Sequence, residues 1–483
     1  MNNPIFKYIN LRSVTTLTLC ILALQSCVPT KVVREEKKDL PNNFQNIVAN
    51  DTTNAAQIKW KEFFNDSNLN SLIDTALSNN QELNILLQQV AISKNEIQAR
   101  KGEYLPFVGI QAAADVEKVG RYTSQGANDA NTEIMPGQEF PEPLHNYKIG
   151  GFASWELDVW KKLRNAKKAA VLEYLASVEG KNFMVTNLIA EIADAYFELQ
   201  ALDNKLVIIK QNLELQNTGL KTIKLQMQAA KATELGVQRL QAEVYKNTSE
   251  LYTLNQEIVE TENKLNFLTG RSPQHIDRIS DQFITQKLET MPAGIPSQLL
   301  NNRPDIRRAE FELQAAKLNT KVAKANFYPS FTLRAGIGLE SFKTKYLSTT
   351  PESLIYNLAG DIVAPLINRN AIKATYSTAN NKQLQAVFEY EKTILNAHIE
   401  VLNSLSKIEN LKKGYEQKEN QVIALTNAIE ISNQLFSAAR ADYMEVLLTQ
   451  RDALESKLQL VESKKMQLIA KVNLYKSLGG GWK

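Results

Sequence analysis

The chain has 483 residues, of which 56 are Lys or Arg and 52 are Asp or Glu, giving a formal net charge of +4. The basic residues are spread along the sequence and form no stripe interleaved with aromatic residues, so the sequence gives no support for nucleic-acid binding. Glycine and proline are scarce, at 19 and 14 residues, and the mean hydropathy is −0.30. This composition favours long amphipathic helices over a thick globular core.

Residues 1–26 are predicted to form a signal peptide. Lys7 and Arg12 precede an apolar run over 14–24, which is too short and too close to the terminus for a membrane-spanning helix. The run leads into "LALQSC", which resembles a bacterial lipobox. This resemblance implies that Cys27 becomes the lipidated first residue of the mature chain, with this N-terminal lipid as the only attached group and no other cofactor. The alternative is a plain secretory signal with a fortuitous cysteine.

The remaining cysteine usage restricts the chemistry of the mature protein. Cys20 leaves with the signal peptide, so the mature chain keeps one cysteine. Neither a disulfide nor a thiolate metal site is then expected. The sequence after the signal contains no run of 18 apolar residues, and we therefore predict no transmembrane helix there.

Two segments in the first half of the chain recur in the second half. Residues 80–117, which begin "NQELNILL", align without a gap with residues 303–340, which begin "RPDIRRAE". Residues 227–244 match residues 436–453 in the same way. Self-similarity of this kind indicates a duplicated structural unit. The predicted segments after the signal peptide are an N-terminal tail, a first repeat and a second repeat: 27–60, 61–285 and 286–483.

Each repeat is predicted to contain a helix, a strand, a polar loop, a second strand, a very long helix, a short break and another helix. Apolar residues at helical spacing mark the helices: 68–103, 162–229, 233–268, 302–326 and 370–438. Alternation of apolar and polar residues marks the strands: 105–117, 147–159, 328–341 and 355–367. The polar loops over 118–146 and 342–354 are predicted to face the outside.

Four alternating strands are too few to close a membrane barrel, because single-chain barrels begin at about eight strands. Open edges are not tolerated in lipid, where unpaired backbone groups find no partner. Either the sheet is soluble and packs on the helices, or several chains pool their strands, three copies giving about twelve. Helix length favours pooling, since residues 162–229 would span roughly 100 Å at about 1.5 Å per residue.

Several motifs occur in this chain in a fixed order: "SWELDVWKKLRNAKKAA" (154–170), "AGIPSQLLNNRPDIRRAE" (293–310), "ANFYPSF" (325–331), "DYMEVLLTQRDAL" (442–454) and "VNLYKSLGGGW" (472–482). Each is weak alone, but the ordered set is specific. With them the chain resembles the outer-membrane factor (TolC/OprM-like) family, the outer-membrane channels of tripartite efflux pumps. It is most similar to the lipoprotein branch that serves transporters of the resistance-nodulation-division (RND) type. The resemblance extends from about residue 60 to the end of the chain.

The resemblance implies an α+β, mostly α-helical fold, in which a homotrimer shares a twelve-stranded transmembrane β-barrel and a long periplasmic α-helical, coiled-coil barrel. It also implies a passive, gated conduit in the outer membrane of a Gram-negative bacterium, lipid-anchored and extending into the periplasm. The implied partners are a periplasmic adaptor (membrane fusion protein), an inner-membrane RND-type transporter and outer-membrane lipid. Small molecules such as drugs, toxic compounds or metal ions are the implied cargo.

The two helix–helix turns are the predicted gate and docking surface. Members of the family usually have glycine at this turn, whereas Ala439 stands in its place here and Ala230 at the same position of the first repeat. Met444 falls where the family places an apolar gate ring, and Leu448 where many members have an aspartate. Three copies of both would close the periplasmic tip by apolar contact and dewetting.

Charged residues flank this predicted gate. Glu445 either forms a ring of carboxylates or is an ordinary solvated residue on a coiled coil, and the sequence leaves both possibilities open. Arg440 and Asp442 are predicted to hold adjacent helices by ion pairs, which contribute about 0–1 kcal/mol each when exposed. A gate held by such pairs would open easily.

Other conspicuous residues have structural interpretations. Four aromatic residues are predicted to form a girdle at the membrane surface, with core packing as the alternative: Tyr147, Trp155, Trp160 and Tyr356. The three histidines are scattered without the spacing of a metal site, and "LGGGW" is interpreted as a chain end. The sequence shows no paired carboxylates, nucleophile motif or cofactor loop, so we predict that the protein is not an enzyme.

Two alternative functions stay open from sequence. The first is a type I secretion channel that exports proteins; the lipobox and the motif over 293–310 favour small-molecule efflux instead. The second is a structural or adhesin-like coiled-coil lipoprotein, which would need no matched strand pairs at the ends of its helices.

Overall fold

The computed structural model describes residues 32, 34–44, 53–286, 291–438 and 440–482. The predicted signal peptide, the predicted lipidation site Cys27 and the turn residue Ala439 lie outside the described residues. The chain divides into two compact units, each assembled from separate stretches of sequence. The described residues of the first unit lie within Met1–Glu35, Ala91–Leu175 and Phe311–Phe388, and those of the second within Glu36–Val90, Ala176–Glu310 and Glu389–Lys483. Both units therefore take segments from both predicted repeats.

The described residues form ten α-helices: α1 (Trp60–Phe64), α2 (Ser67–Asn79), α3 (Gln81–Tyr104), α4 (Ser124–Asn131), α5 (Lys162–Gln228), α6 (Glu234–Leu268), α7 (Leu299–Asn302), α8 (Pro304–Ala325), α9 (Asn370–Ser437) and α10 (Tyr443–Ser477). The strands are β1 (Phe107–Glu117), β2 (Glu133–Met135), β3 (Gln138–Glu139), β4 (Leu144–Leu157), β5 (Ser330–Ser341) and β6 (Leu354–Val363). The predicted order of long helices and strands is confirmed in both repeats. Among the described residues, no helix is both long and apolar enough to cross a membrane.

The first unit is built on a four-stranded antiparallel sheet in the order β1-β4-β5-β6. The central pair β4 and β5 comes from different repeats and is joined in a continuous register, with Ile149 opposite Leu339 and Leu157 opposite Phe331. Within the single chain the sheet is open, with β1 and β6 at its edges. The short strands β2 and β3 form a separate two-stranded hairpin.

All four connections between a long helix and a sheet strand lie at one end of this sheet, which we call the junction end. The chain enters β1 from α3 and β5 from α8, and it leaves β4 for α5 and β6 for α9. Because neighbouring strands are antiparallel and in register, the start of β1 lies beside the end of β4, and the start of β5 beside the end of β6. Loops 118–143 and 342–353 occupy the opposite, loop end.

The second unit has a buried apolar core made by α1, α2, α5, α6 and α10. Its largest fully buried side chain is Tyr196, whose hydroxyl donates to the Asp66 carboxylate at 3.2 Å. Asp66 also caps α2 by accepting from the Asn68 and Leu69 amides. The burial of Leu69 and Ile73 on one face of α2 shows how the amphipathic pattern positions this helix.

The prediction of one helix over 68–103 is wrong, because Asn80 separates α2 from α3. Asn80 has an extended backbone, with φ −59° and ψ 125°. Its side-chain oxygen accepts from the Leu83 amide at 2.9 Å, and its amide nitrogen donates to the Leu268 carbonyl at 2.9 Å. Asn80 thus caps α3 and satisfies a carbonyl at the end of α6, a contact between residues far apart in sequence.

Two further sequence predictions differ from the structure. The polar loop predicted over 118–146 contains α4 and the β2–β3 hairpin. The last strand, predicted to reach 367, ends at Val363, two residues before Pro365. The glycine-rich end of the chain is docked, since the Trp482 indole nitrogen donates to the Asn302 carbonyl at 3.1 Å. Gly479 allows this approach, because its φ is +89° and a Cβ there would lie 2.6 Å from the Asn302 oxygen.

Candidate functional site

One face of the sheet is apolar from edge to edge. Across the four strands, Ile110 lies opposite Gly151, Gly151 opposite Ile337, and Ile337 opposite Tyr356. The same alternation continues along each strand, and the paired positions on this face are apolar or glycine except His145 and Ser341 near the loop end: Val108, Ile110, Ala112, Ala114, Val116, Tyr147, Ile149, Gly151, Ala153, Trp155, Leu157, Phe331, Leu333, Ala335, Ile337, Leu339, Leu354, Tyr356, Leu358, Gly360 and Ile362. Ile110 is 85% exposed and Tyr356 81% exposed. A face this apolar and this exposed matches a surface in contact with lipid.

The opposite face of the sheet carries the charged side chains. Lys148 and Glu340 form an ion pair across β4 and β5 at 3.5 Å, and Arg334 and Asp361 form one across β5 and β6 at 3.4 Å. Asn146 adds a hydrogen bond to Glu340 at 2.7 Å. The polar face therefore suits contact with water, and the register separates it from the apolar face on every strand.

Two of the four predicted girdle residues lie at the junction end. The Trp155 indole nitrogen donates to the Tyr104 carbonyl at 3.1 Å, and that of Trp160 donates to the Pro329 carbonyl at 2.7 Å. Trp160 also stacks on Tyr328, with ring centroids 4.8 Å apart. The other two are on the apolar face: Tyr147 and Tyr356. Indoles with a bonded N–H and a partly exposed ring suit a membrane–water interface.

The first helix–helix turn, between α5 and α6, has the left-handed cap that glycine usually forms at a helix C-terminus, but the residue in this position is alanine. Ala230 has a φ of +56°. The Ala230 amide donates to the Met227 carbonyl at 2.9 Å and the Lys231 amide to the Gln226 carbonyl at 2.8 Å, which is the Schellman pattern. The left-handed conformation costs a residue with a Cβ roughly 1–2 kcal/mol. Thr233 then caps α6 by accepting from the Gly236 amide at 3.3 Å.

The second turn, between α9 and α10, repeats part of this pattern. The Arg440 amide donates to the Leu435 carbonyl at 2.9 Å, the same five-residue separation as from Lys231 to Gln226. Asp442 occupies the N-cap position of α10, equivalent to Thr233, but its side chain makes no capping hydrogen bond. The two turns therefore share this hydrogen bond at equivalent positions, Lys231 in the first and Arg440 in the second.

An apolar cluster joins the two turns, and we call it the tip cluster. Its buried members come from α5, α6 and α10: Leu220, Ile223, Val237, Leu240, Val244 and Leu447. Met444, a predicted gate residue, is partly buried against it, and the Arg239 guanidinium lies 3.9 Å from the Met444 sulfur. Leu448, one turn further along α10, is 41% exposed. Met444 is thus anchored within the chain, whereas Leu448 is free to contact another surface.

Tyr443 is a residue of this site that sequence reasoning missed. Its ring lies beside the Phe436 ring, with centroids 5.2 Å apart. Its hydroxyl occupies the space above Gly219 of α5, where a Cβ would lie only 2.6 Å from it. Burial raises the pKa of the Tyr443 phenol. A glycine inside a 67-residue helix was the available signal, since glycine weakens a helix interior unless close packing requires it.

The predicted charged residues of the tip are solvent-facing. Glu445, Arg440 and Asp442 are exposed. No ion pair joins Arg440 or Asp442 to another residue in the part of the chain that the structure describes. The predicted pairing between adjacent helices is therefore not seen among the described residues of one chain and stays a prediction for neighbouring chains. No group of three or more metal-binding side chains occurs among the described residues either.

The sequence was compared with known protein families. Residues 72–271 and 295–480, which make up most of the chain, match the family described as "Outer membrane efflux protein". The chain belongs to this family. Similar curated members include the cation efflux system protein CusC of Escherichia coli O6:H1, 26% identical over 96% of this chain and 98% of its own length. The pyoverdine export outer membrane protein OpmQ of Pseudomonas aeruginosa is 25% identical over 98% of both chains.

Solved structures of similar proteins have the same fold. The open-state outer membrane channel MtrE of Neisseria gonorrhoeae gives a TM-score of 0.82 at 23% identity, covering 95% of this chain and 99% of that one. A CusC crystal structure gives 0.80 at 22% identity, covering 93% and 99%. This outer membrane efflux protein is therefore a mostly helical channel protein of the outer membrane, and its family is one of transport. The four paired strands argue against the coiled-coil adhesin alternative.

Proposed function

We propose that three copies of this efflux protein pool their strands into one closed barrel. The observation that carries the proposal is an apolar sheet face that ends, in the single chain, at the two open edges β1 and β6. In lipid these edges need partners, because unpaired backbone groups find none there. Pairing β6 of one copy with β1 of the next satisfies all of them, and three four-stranded sheets give an even-numbered barrel of about twelve strands.

The tip residues are proposed to gate this conduit. Leu448 presents an exposed apolar side chain beside the partly buried Met444. Copies of both around a threefold axis would form an apolar constriction that excludes water. Glu445 lies exposed between them in sequence and would add negative charge to the constriction.

A periplasmic adaptor and an inner-membrane RND-type transporter are the proposed partners, and the exposed turns around Ala230 and Arg440 are the proposed docking surface. The cargo is proposed to be small molecules that the transporter selects. Three relatives of nearly equal similarity have names that refer to different cargoes: cations for CusC, pyoverdine for OpmQ, and solvent for SrpC of Pseudomonas putida, which is 28% identical. This variety supports the proposal that the transporter, and not the channel, selects the cargo.

A lipid on Cys27 is proposed to anchor the mature N-terminus in the outer membrane. The apolar run and the "LALQSC" sequence support this proposal. SilC of Salmonella typhimurium, 25% identical to this chain, is named a probable outer membrane lipoprotein.

The test is the oligomeric mass of the detergent-extracted protein together with its single-channel conductance in planar bilayers. We expect a trimer with low conductance, which rises when Met444 and Leu448 are both changed to alanine. Met466→Ala is the matched control, since Met466 is an exposed methionine on the same helix. A monomer, or a protein that leaves the membrane when only its lipid is removed, would contradict the proposed barrel. A trimer whose conductance changes equally in the Met444/Leu448 double variant and in the Met466→Ala control would contradict the proposed gate but not the barrel.

A further inference from the structure

The junction end and the loop end of the four-stranded sheet differ in charge. The four segments at the junction end, 97–106, 158–169, 317–329 and 364–375, contain twelve Lys and Arg residues against two acidic residues, Glu103 and Asp158. The loop end, 118–143 and 342–353, contains four basic and five acidic residues. Since the register brings all four junction segments to the same end of the sheet, the excess positive charge is concentrated there.

Only part of this positive charge is paired among the described residues. Arg164 and Lys162 are engaged by Asp158 and Glu156 at 3.1 and 2.5 Å. Six exposed lysines of the junction end form no ion pair with another residue in the described part of the chain: Lys101, Lys161, Lys168, Lys321, Lys324 and Lys373. A set of like charges held together without counter-charges is electrostatically unfavourable unless an anion is supplied from outside.

The surroundings of these lysines match a lipid headgroup region. The lysines lie on the chain segments that enter and leave the sheet at the junction end. The same end carries Trp155 and Trp160, whose indole nitrogens are bonded to backbone carbonyls. Apolar residues, then indoles, then lysines is the order expected on passing from hydrocarbon to headgroups. The absence of acidic residues from 317–329 and 364–375 means that two of the four segments would attract anions along their whole length.

We infer that the junction end is a binding surface for anionic phospholipid headgroups in the leaflet on the helix side of the membrane. This inference rests on the proposed insertion of the sheet in lipid. Each lysine near a bilayer surface attracts anionic lipid independently of headgroup shape. The surface therefore selects lipid charge, and it holds the sheet at a fixed depth because the apolar face and the lysines must be satisfied together.

The experiment uses the full chain reconstituted in liposomes of phosphatidylethanolamine with a minor fraction of phosphatidylglycerol. Native mass spectrometry of the extracted protein measures the ratio of bound phosphatidylglycerol to bound phosphatidylethanolamine, and conductance in the same lipids reports insertion. The test variant combines Lys161→Gln, Lys168→Gln and Lys324→Gln. The matched control combines Lys210→Gln, Lys221→Gln and Lys412→Gln, three exposed lysines on helices of the second unit.

We expect the wild type and the control to be enriched in bound phosphatidylglycerol. In the test variant, we expect the ratio of bound phosphatidylglycerol to bound phosphatidylethanolamine to be at least about fivefold lower. Equal enrichment in the test variant and the control would overturn the inference. So would a test variant that loses its trimer without losing its lipid preference, because the lysines would then serve contacts between copies. If the wild type fails to insert and conduct, the proposed barrel fails instead, so the two failures are distinguishable.

Discussion

The contact between Gly219 and Tyr443 predicts that Gly219→Ala displaces the Tyr443 side chain from α5. The new Cβ would lie 2.6 Å from the Tyr443 hydroxyl oxygen and 3.6 Å from a Leu240 methyl carbon. A separation of 2.6 Å is too short for a carbon and an oxygen, so the phenol must move away from α5. Since Tyr443 is the first residue of α10, its displacement disturbs the helix that carries the predicted gate residues.

The magnitude follows from two opposing effects. Overpacking a well-packed site costs about 1–3 kcal/mol, whereas replacing glycine by alanine inside a helix stabilises it by about 0.8–1.0 kcal/mol. With Tyr443 present, we expect Gly219→Ala to destabilise the packing of Tyr443 on α5 by about 0–2 kcal/mol. In a Tyr443→Ala background the clash is gone, and the same change is expected to stabilise by up to about 1 kcal/mol. The double-mutant cycle should therefore show a coupling of about 1–3 kcal/mol.

The assay is the open probability of single channels, measured for the wild type, both single variants and the double variant. Gly414→Ala is the matched control, because Gly414 lies inside the 68-residue α9 and a Cβ there would meet no atom within 4 Å. We expect higher open probability for Gly219→Ala and no change for Gly414→Ala. Strictly additive effects of the Gly219 and Tyr443 variants would refute the contact as a constraint on the tip.

Three further changes test other parts of the molecule. Cys27→Ala should yield a protein without attached lipid, as shown by its mass. A wild type whose mass differs from that of the variant by the Cys-to-Ala exchange alone would contradict lipidation. Ile337→Arg on the apolar sheet face should lower the stability of the inserted barrel by about 2–4 kcal/mol in a membrane folding titration, whereas Asn357→Arg on the opposite face should have little effect; equal losses would contradict the assignment of the faces. Burial raises the pKa of the Asp194 carboxyl, on α5 in the second unit, from 3.8 to about 6, so the folded state binds its proton more tightly than the unfolded state. The free energy of unfolding should then fall as the pH rises from about 4 to 6, by up to about 3 kcal/mol. Urea titrations of Asp194→Asn should lack this part of the pH dependence, and identical pH profiles for wild type and variant would contradict the raised pKa of Asp194.

Periodicity was sufficient to predict the sheet because each strand separates apolar from polar residues with period two. The alternation over 331–339 and 147–157 determines which side chains share a face. The structure adds the register, in which strands of both repeats align their apolar residues. The repeat likewise predicted two turns at equivalent places, although the turn residue of the second lies outside the described chain.

The features that sequence reasoning missed depend on residues distant along the chain. Asn80 ends a helix because its side chain reaches the Leu268 carbonyl, and no local pattern contains that partner. Gly219 and Tyr443 are separated by more than two hundred residues, so neither identifies the other in sequence. The docking of Trp482 on Asn302 is of the same kind. Local composition predicts elements, and these contacts decide where the elements end and meet.

The two turns are related by the repeat, yet their helix starts are held differently. Thr233 caps α6 through its side chain, whereas Asp442 at the equivalent position of α10 makes no capping hydrogen bond. A missing N-cap bond typically costs a helix end about 1 kcal/mol. The first turn of α10 therefore depends more on packing, through Tyr443 above Gly219 and Met444 against the tip cluster. A change that disturbs this packing would therefore release the first turn of α10 before that of α6.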